Sequence, residues 1–96
     1  MPEPTLVKVV KWKLFSRTVS SHIIDYVVPQ YGDTGNDECS DYTVEDIIKQ
    51  IKKYAARNGK NSRVGQEKLD LIKIAHYAQM AYELIETQEE DNANRP

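Results

Sequence analysis

The chain has 96 residues, a formal net charge of −2 and one cysteine. That excludes an internal disulfide and leaves room for one small domain with a modest core. No apolar run reaches spanning length and the N-terminus carries no signal-peptide pattern, so a cytoplasmic protein without a membrane segment is expected. The small net charge conceals a segregation. Acids gather at Asp33, Asp37, Glu38, Asp41, Glu45 and Asp46, bases at Lys49, Lys52, Lys53, Arg57, Lys60 and Arg63, and acids return toward the C-terminus.

After the proline-rich start, Leu6 to Phe15 reads Leu-Val-Lys-Val-Val-Lys-Trp-Lys-Leu-Phe. Its β-branched content and the alternation of lysine with Val10, Trp12 and Leu14 predict an edge strand or extended arm, with lysines discouraging further pairing. A helix is the second reading and would group Leu6, Val9, Val10 and Leu14. Trp12 is expected as a core anchor. Val19, Ile23, Tyr26 and Val27 then recur at helical spacing, Ser20 or Ser21 can cap, and Pro29 ends the run, which predicts a short helix near 19–28. His22 has no second histidine or cysteine at ligand spacing and is assigned no chemistry.

Residues 29–42 form a long polar connection. Asp33, Asp37, Glu38 and Asp41 offer oxygen ligands for Mg²⁺ or Ca²⁺, but the order that defines a calcium-binding loop is absent, and a solvated loop is the simpler reading. Cys39 in this loop lacks an environment that would lower its pKa.

The stretch from Thr43 to Glu86 organises the rest. Val44, Ile47, Ile48, Ile51, Tyr54 and Ala55 share one face of a helix over 43–58. Thr43 and Asp46 are placed for a capping box, and Gly59 follows where a left-handed cap favours glycine. A second helix is predicted over 66–86, with Leu71, Ile74, Ala75, Ala78, Ala81, Tyr82 and Ile85 on one side and Leu69, Ile72, Met80 and Leu84 nearly opposite. An antiparallel hairpin follows. A helix apolar on two sides needs more cover than one amphipathic partner supplies, so a homodimer through Leu69, Ile72, Met80 and Leu84 is expected unless the Trp12 and Phe15 segment covers that side. His76, inside that stripe, reads as packing.

Two kinds of site are legible. Lys49, Lys53 and Arg57 lie one turn apart, with Lys60 and Arg63 in the following loop, forming a basic stripe opposite the apolar face. Such a stripe complements the helix dipole. It also suits an anionic ligand, a nucleotide phosphate or a nucleic-acid backbone, with Arg57 offering paired donors and the lysines point charges. Glu67 and Asp70, three residues apart, are the second candidate, as ligands for Mg²⁺.

The runs Ile51-Lys52-Lys53-Tyr54-Ala55-Ala56-Arg57-Asn58-Gly59-Lys60 and Glu67-Lys68-Leu69-Asp70-Leu71-Ile72-Lys73-Ile74-Ala75-His76-Tyr77 resemble a small domain of unknown function in tailed-phage proteins, one that also occurs in phage nucleotide-kinase-type proteins. The resemblance covers about half the chain and implies a phage or prophage origin with a role near nucleotide metabolism; Lys49-Gln50 replace the Gly-Asn pair of that pattern. More loosely, Glu67 and Asp70 are similar to the second carboxylate element of the all-α MazG-type nucleotide pyrophosphohydrolases, whose first element has no counterpart here: Ile48 and Lys49 stand where a carboxylate after Glu45 would be needed.

These readings together predict a mainly α domain over 1–86, consisting of a helical hairpin with an additional short helix and an N-terminal strand or extended arm, and a disordered acidic tail over 87–96. The expected function is a non-catalytic phage accessory protein, without a cofactor, that binds a host protein or an anionic ligand through the basic helix face. The alternative is a Mg²⁺-dependent nucleotide pyrophosphohydrolase.

Overall fold

The computed structural model describes residues 6–33, 41–60 and 63–93, and it is mainly α, with no strand among them. The acids Asp37 and Glu38 and the thiol of Cys39, which figure in the loop reading above, lie outside the described residues. The chain divides into two compact units, 1–32 and 33–96, where one domain over 1–86 is expected from the sequence.

The first unit is helical from Val7 to Tyr31: α1 (Val7–His22), a π-helical turn (Ile23–Val27) and α2 (Val28–Tyr31) follow without a break. The expected N-terminal strand is therefore corrected to helix, and the separate short helix near 19–28 is part of the same rod. A strand must find a partner for its backbone groups, and among the described residues none exists, whereas a helix satisfies them within itself. No glycine or proline interrupts the run before Pro29. The hydroxyls of Ser16, Thr18 and Ser20 donate to the carbonyls of Lys13, Leu14 and Ser16, absorbing polar groups that would otherwise compete with the helix.

Pro29 explains the π turn. A proline inside an α-helix has no N–H and presses its ring on the carbonyl four residues back, here Asp25. Widening the preceding turn removes the clash, and the Val28 amide reaches back five residues to the Ile23 carbonyl. The rod ends at Gly32, whose φ of 85° is open to glycine and whose amide bonds the Val28 carbonyl at 2.7 Å. None of the side chains in this rod is buried, and Trp12, read from sequence as a core anchor, is 61% exposed.

The second unit is the hairpin of α3 (Val44–Arg57) and α4 (Gln66–Ala93). The capping box is present: the Asp46 amide donates to Thr43 Oγ1 at 3.2 Å, and the Thr43 amide donates to Asp46 Oδ2 at 2.9 Å. The bond from the Thr43 amide, most of all, holds the Asp46 carboxyl below the usual aspartate range, with the Thr43 hydroxyl adding to it. At the other end Gly59 takes a φ of 80° and the Lys60 amide returns to the Arg57 carbonyl. A second glycine in the connection, Gly65, has the same φ and leads into α4.

Ile47, 1% exposed, is the centre of the core, with Met80 and Ala81 of α4 buried against it and Ile51, Tyr77 and Leu84 around them. The face of α4 turned to α3 thus runs through Asp70, Tyr77, Met80, Ala81 and Leu84. The sequence reading expects both apolar sides of α4 to be covered, whereas Leu71, Tyr82 and Ile85 of the first side are exposed. The packing also revises the expected dimer surface, because Met80 and Leu84 already pack within the hairpin. Simple periodicity does not single out the packed face because α4 is apolar on nearly all sides over its first five turns, and Asp70, a residue no hydrophobicity count places inward, fixes its rotation. α4 continues through Ala93, so residues 87–93 of the expected tail are helical. No described helix is long and apolar enough to cross a membrane.

Candidate anion-binding site

At the closed end of the hairpin the last turn of α3 meets the first two turns of α4. Asp70 is fully buried there. Its Oδ1 accepts from Arg57 Nη2 and from Gln66 Nε2, both at 2.8 Å. A buried carboxylate persists only if compensated by charge and hydrogen bonds, and Arg57 supplies the first while Gln66, one turn earlier on α4, supplies a second donor. The bond from Arg57 holds the Asp70 carboxyl below its ordinary range, with Gln66 adding to it and burial opposing it; the same bond raises the Arg57 guanidinium. Asn58 closes the corner, its Nδ2 donating to the Glu67 carbonyl at 2.9 Å.

Beside this pair, Tyr54 of α3 and Tyr77 of α4 stack with centroids 5.8 Å apart and planes 20° from parallel. Three cations surround the Tyr54 ring. The Arg57 guanidinium carbon lies 4.5 Å from its centroid, Lys73 Nζ 5.3 Å and Lys53 Nζ 5.9 Å, all within cation–π range. Ring and cations are arranged by helix geometry: Lys53 and Arg57 are one turn apart on α3, and Lys73 is one turn beyond Asp70 on α4. Three positive charges are gathered around one ring, and Asp70 answers Arg57 specifically.

The structure thus sorts the residues singled out from sequence. Lys53 and Arg57 come together, but Arg57 is committed to Asp70 and acts as a strut between the helices. Lys49 lies one turn before Lys53 on α3, and Lys60 and Arg63 lie in the connection, exposed. Lys73 was missed; its only sequence signal is that it follows Asp70 by three positions and so shares its side of α4. Of the two proposed magnesium ligands, Asp70 is enclosed by Arg57 and Gln66, whereas Glu67 is exposed. Among the described residues no group of three or more His, Cys, Asp or Glu side chains is placed to hold a metal ion. His76 is buried, as expected of a packing residue. His22 meets the Tyr26 ring at 5.4 Å on the N-terminal rod.

Compared with protein-family models, curated proteins and solved structures, the chain matches none.

Proposed function

We propose that this chain is a small accessory binding module, non-catalytic, that takes the phosphate groups of a nucleotide or nucleic acid on the basic end of its hairpin. The observation that carries the reading is the convergence of Lys53, Lys73 and Arg57 on the Tyr54 ring. Asp70 answers Arg57, so Lys53 and Lys73 supply the positive charge beside the ring that an anion would meet. Lys53 and Lys73 make the direct contacts, Lys49, Lys60 and Arg63 extend the positive field, and Arg57 with Asp70 holds the two helices in register. A phage or prophage origin and a nucleotide-related ligand, implied by the sequence resemblance of 51–60 and 67–77 alone, are part of the proposal. A cytoplasmic site of action, in the host cell if phage-encoded, completes the proposal.

Fluorescence anisotropy with a labelled single-stranded oligonucleotide and with a labelled deoxynucleoside triphosphate tests it, with and without Mg²⁺. Binding is expected without metal, weakening with salt at a slope of about −1.4 for two phosphate contacts to a single strand. Lys53→Glu with Lys73→Glu should lower affinity at least ~10-fold while the hairpin stays folded. No binding of either probe at low salt overturns the reading and leaves a host protein as the partner. Metal-dependent turnover of the triphosphate establishes the pyrophosphohydrolase alternative instead.

A further inference from the structure

The core of the hairpin uses one side of α4 and leaves a second apolar stripe on another. Leu71, Ala75, Ala78, Tyr82 and Ile85 recur at spacings of four, three, four and three, the signature of one continuous helix face. Leu71 is 51%, Tyr82 64% and Ile85 41% exposed. Five apolar positions over four turns exceed the scattered exposure expected on a surface helix. The stripe has a particular order, with large side chains toward its ends and Ala75 and Ala78 between them.

Charge is ordered along the same axis. From Ile74 to Ala93 α4 contains Glu83, Glu86, Glu89, Glu90 and Asp91 and no lysine or arginine. The opposite end of the hairpin carries Arg57, Lys60, Arg63, Lys68 and Lys73. The acids at the end of α4 lie against its own dipole, which favours cations there. The hairpin is therefore positive at its closed end and negative at its open end.

We infer that the occupant of this stripe is a second copy of the chain, with the two α4 helices crossing antiparallel about a two-fold axis at Ala78. In that arrangement Ala78 meets Ala78, the Tyr82 ring covers Ala75 of the other copy, Leu71 meets Ile85, and Lys68 comes opposite Glu89. The alanines let the helices approach closely, and the antiparallel sense lays each acidic helix end beside the other copy's basic closed end and the positive pole of its α4. A parallel pair would set the five acids of one copy beside those of the other. The stripe itself lies off the Tyr54–Tyr77 stack, so the dimer does not rest on the phosphate-binding reading, although each acidic helix end comes beside the basic end that carries Lys73. Four turns of one helix make a small interface, and dissociation on dilution through the micromolar range is expected.

Sedimentation velocity of the full chain across about 1–200 µM, at low and high salt, is the first test. A reversible dimer weakened by salt is expected, and a strict monomer throughout overturns the proposal. Geometry is read from single cysteines in a Cys39→Ser background under mild oxidation. Ala78→Cys should cross-link with itself, whereas Ile85→Cys should not, because two Ile85 positions lie about 21 Å apart in an antiparallel pair, fourteen residues at the helical rise. Efficient self-cross-linking of Ile85→Cys, or none at Ala78→Cys in a sample that sediments as a dimer, refutes the arrangement. Lys68→Glu should weaken the dimer several-fold and the double change Lys68→Glu, Glu89→Lys should restore it; failure of that rescue in folded protein also counts against the pairing. Oligonucleotide affinity measured on the Ala78→Glu variant, expected to be monomeric, reports separately on the Tyr54 site.

Discussion

The N-terminal rod and the hairpin are both helical and both rich in apolar residues, yet only one of them builds a core. In α3 the apolar residues fall on one stripe, Val44, Ile47, Ile51 and Tyr54, and the stripe closes over Met80 and Ala81. In the rod Leu6, Val7, Val9, Val10, Trp12 and Leu14 point around the full circumference, and none is buried. Apolar content makes a helix plausible, but phase decides whether it packs.

The sharpest way to break this contrast is to truncate one β-branched side chain to alanine in each region. Ile47→Ala removes the most enclosed side chain of the core and is expected to cost about 3 kcal/mol, within the ~2–5 kcal/mol typical of such truncations. Val10→Ala on the rod should stay within about 0.5 kcal/mol. Urea denaturation of both variants checks the pair, and equal losses would show that the rod carries stability of its own.

A smaller effect separates the polar closed end from the apolar centre. Asp70 and Asp46 both have depressed pKa values in the folded hairpin. A group depressed on folding contributes stability above its unfolded pKa, near 3.9, and loses it as pH falls through the folded value. The hairpin should therefore weaken progressively below about pH 4. Asp70→Asn should reduce that acid-side loss and lower stability at neutral pH, where it leaves Arg57 facing an amide. Thermal melts of wild type and variant from neutral to strongly acid pH test both, and parallel curves would show that Asp70 does not drive the acid limb.

The smallest of the three concerns the start of α3. Thr43→Ala deletes one half of the capping box and should cost ~1 kcal/mol. Thr18→Ala, where the hydroxyl merely bonds back to Leu14 within the rod, should change helicity little. Circular dichroism with thermal melting distinguishes them.

What was legible in the sequence follows the same division. The extent of α3, its cap and the left-handed Gly59 were readable because each rests on interactions within four residues. The rotation of α4 was not, since it is set by Asp70 meeting Arg57, thirteen residues away in sequence, a bond that hydrophobic periodicity does not register. The rod was misread as strand because lysines alternate with Val10, Trp12 and Leu14 over a span too short to separate a period of two from one of 3.6. Of the candidate site, Lys53 was visible as part of a stripe on one helix, whereas Lys73 became part of it only when the second helix was docked. The helical state of 87–93 was hidden by a composition typical of unstructured tails.

The unequal lengths of the two hairpin helices have a kinetic consequence. α3 has 14 residues and α4 has 28, about 21 Å against 42 Å at the helical rise. The polar clasp of Arg57, Asp70 and Asn58 sits at one extreme, and the last apolar contact with α3, Leu84, lies nine residues short of the other. Opening of α4 should thus begin at Ala93 and run inward, meeting rising resistance until it reaches Met80. Amide hydrogens would then exchange in a graded order along a single unbroken helix, fastest after Glu86 and slowest near Tyr77, so that one element spans nearly the whole range of local stability in the hairpin.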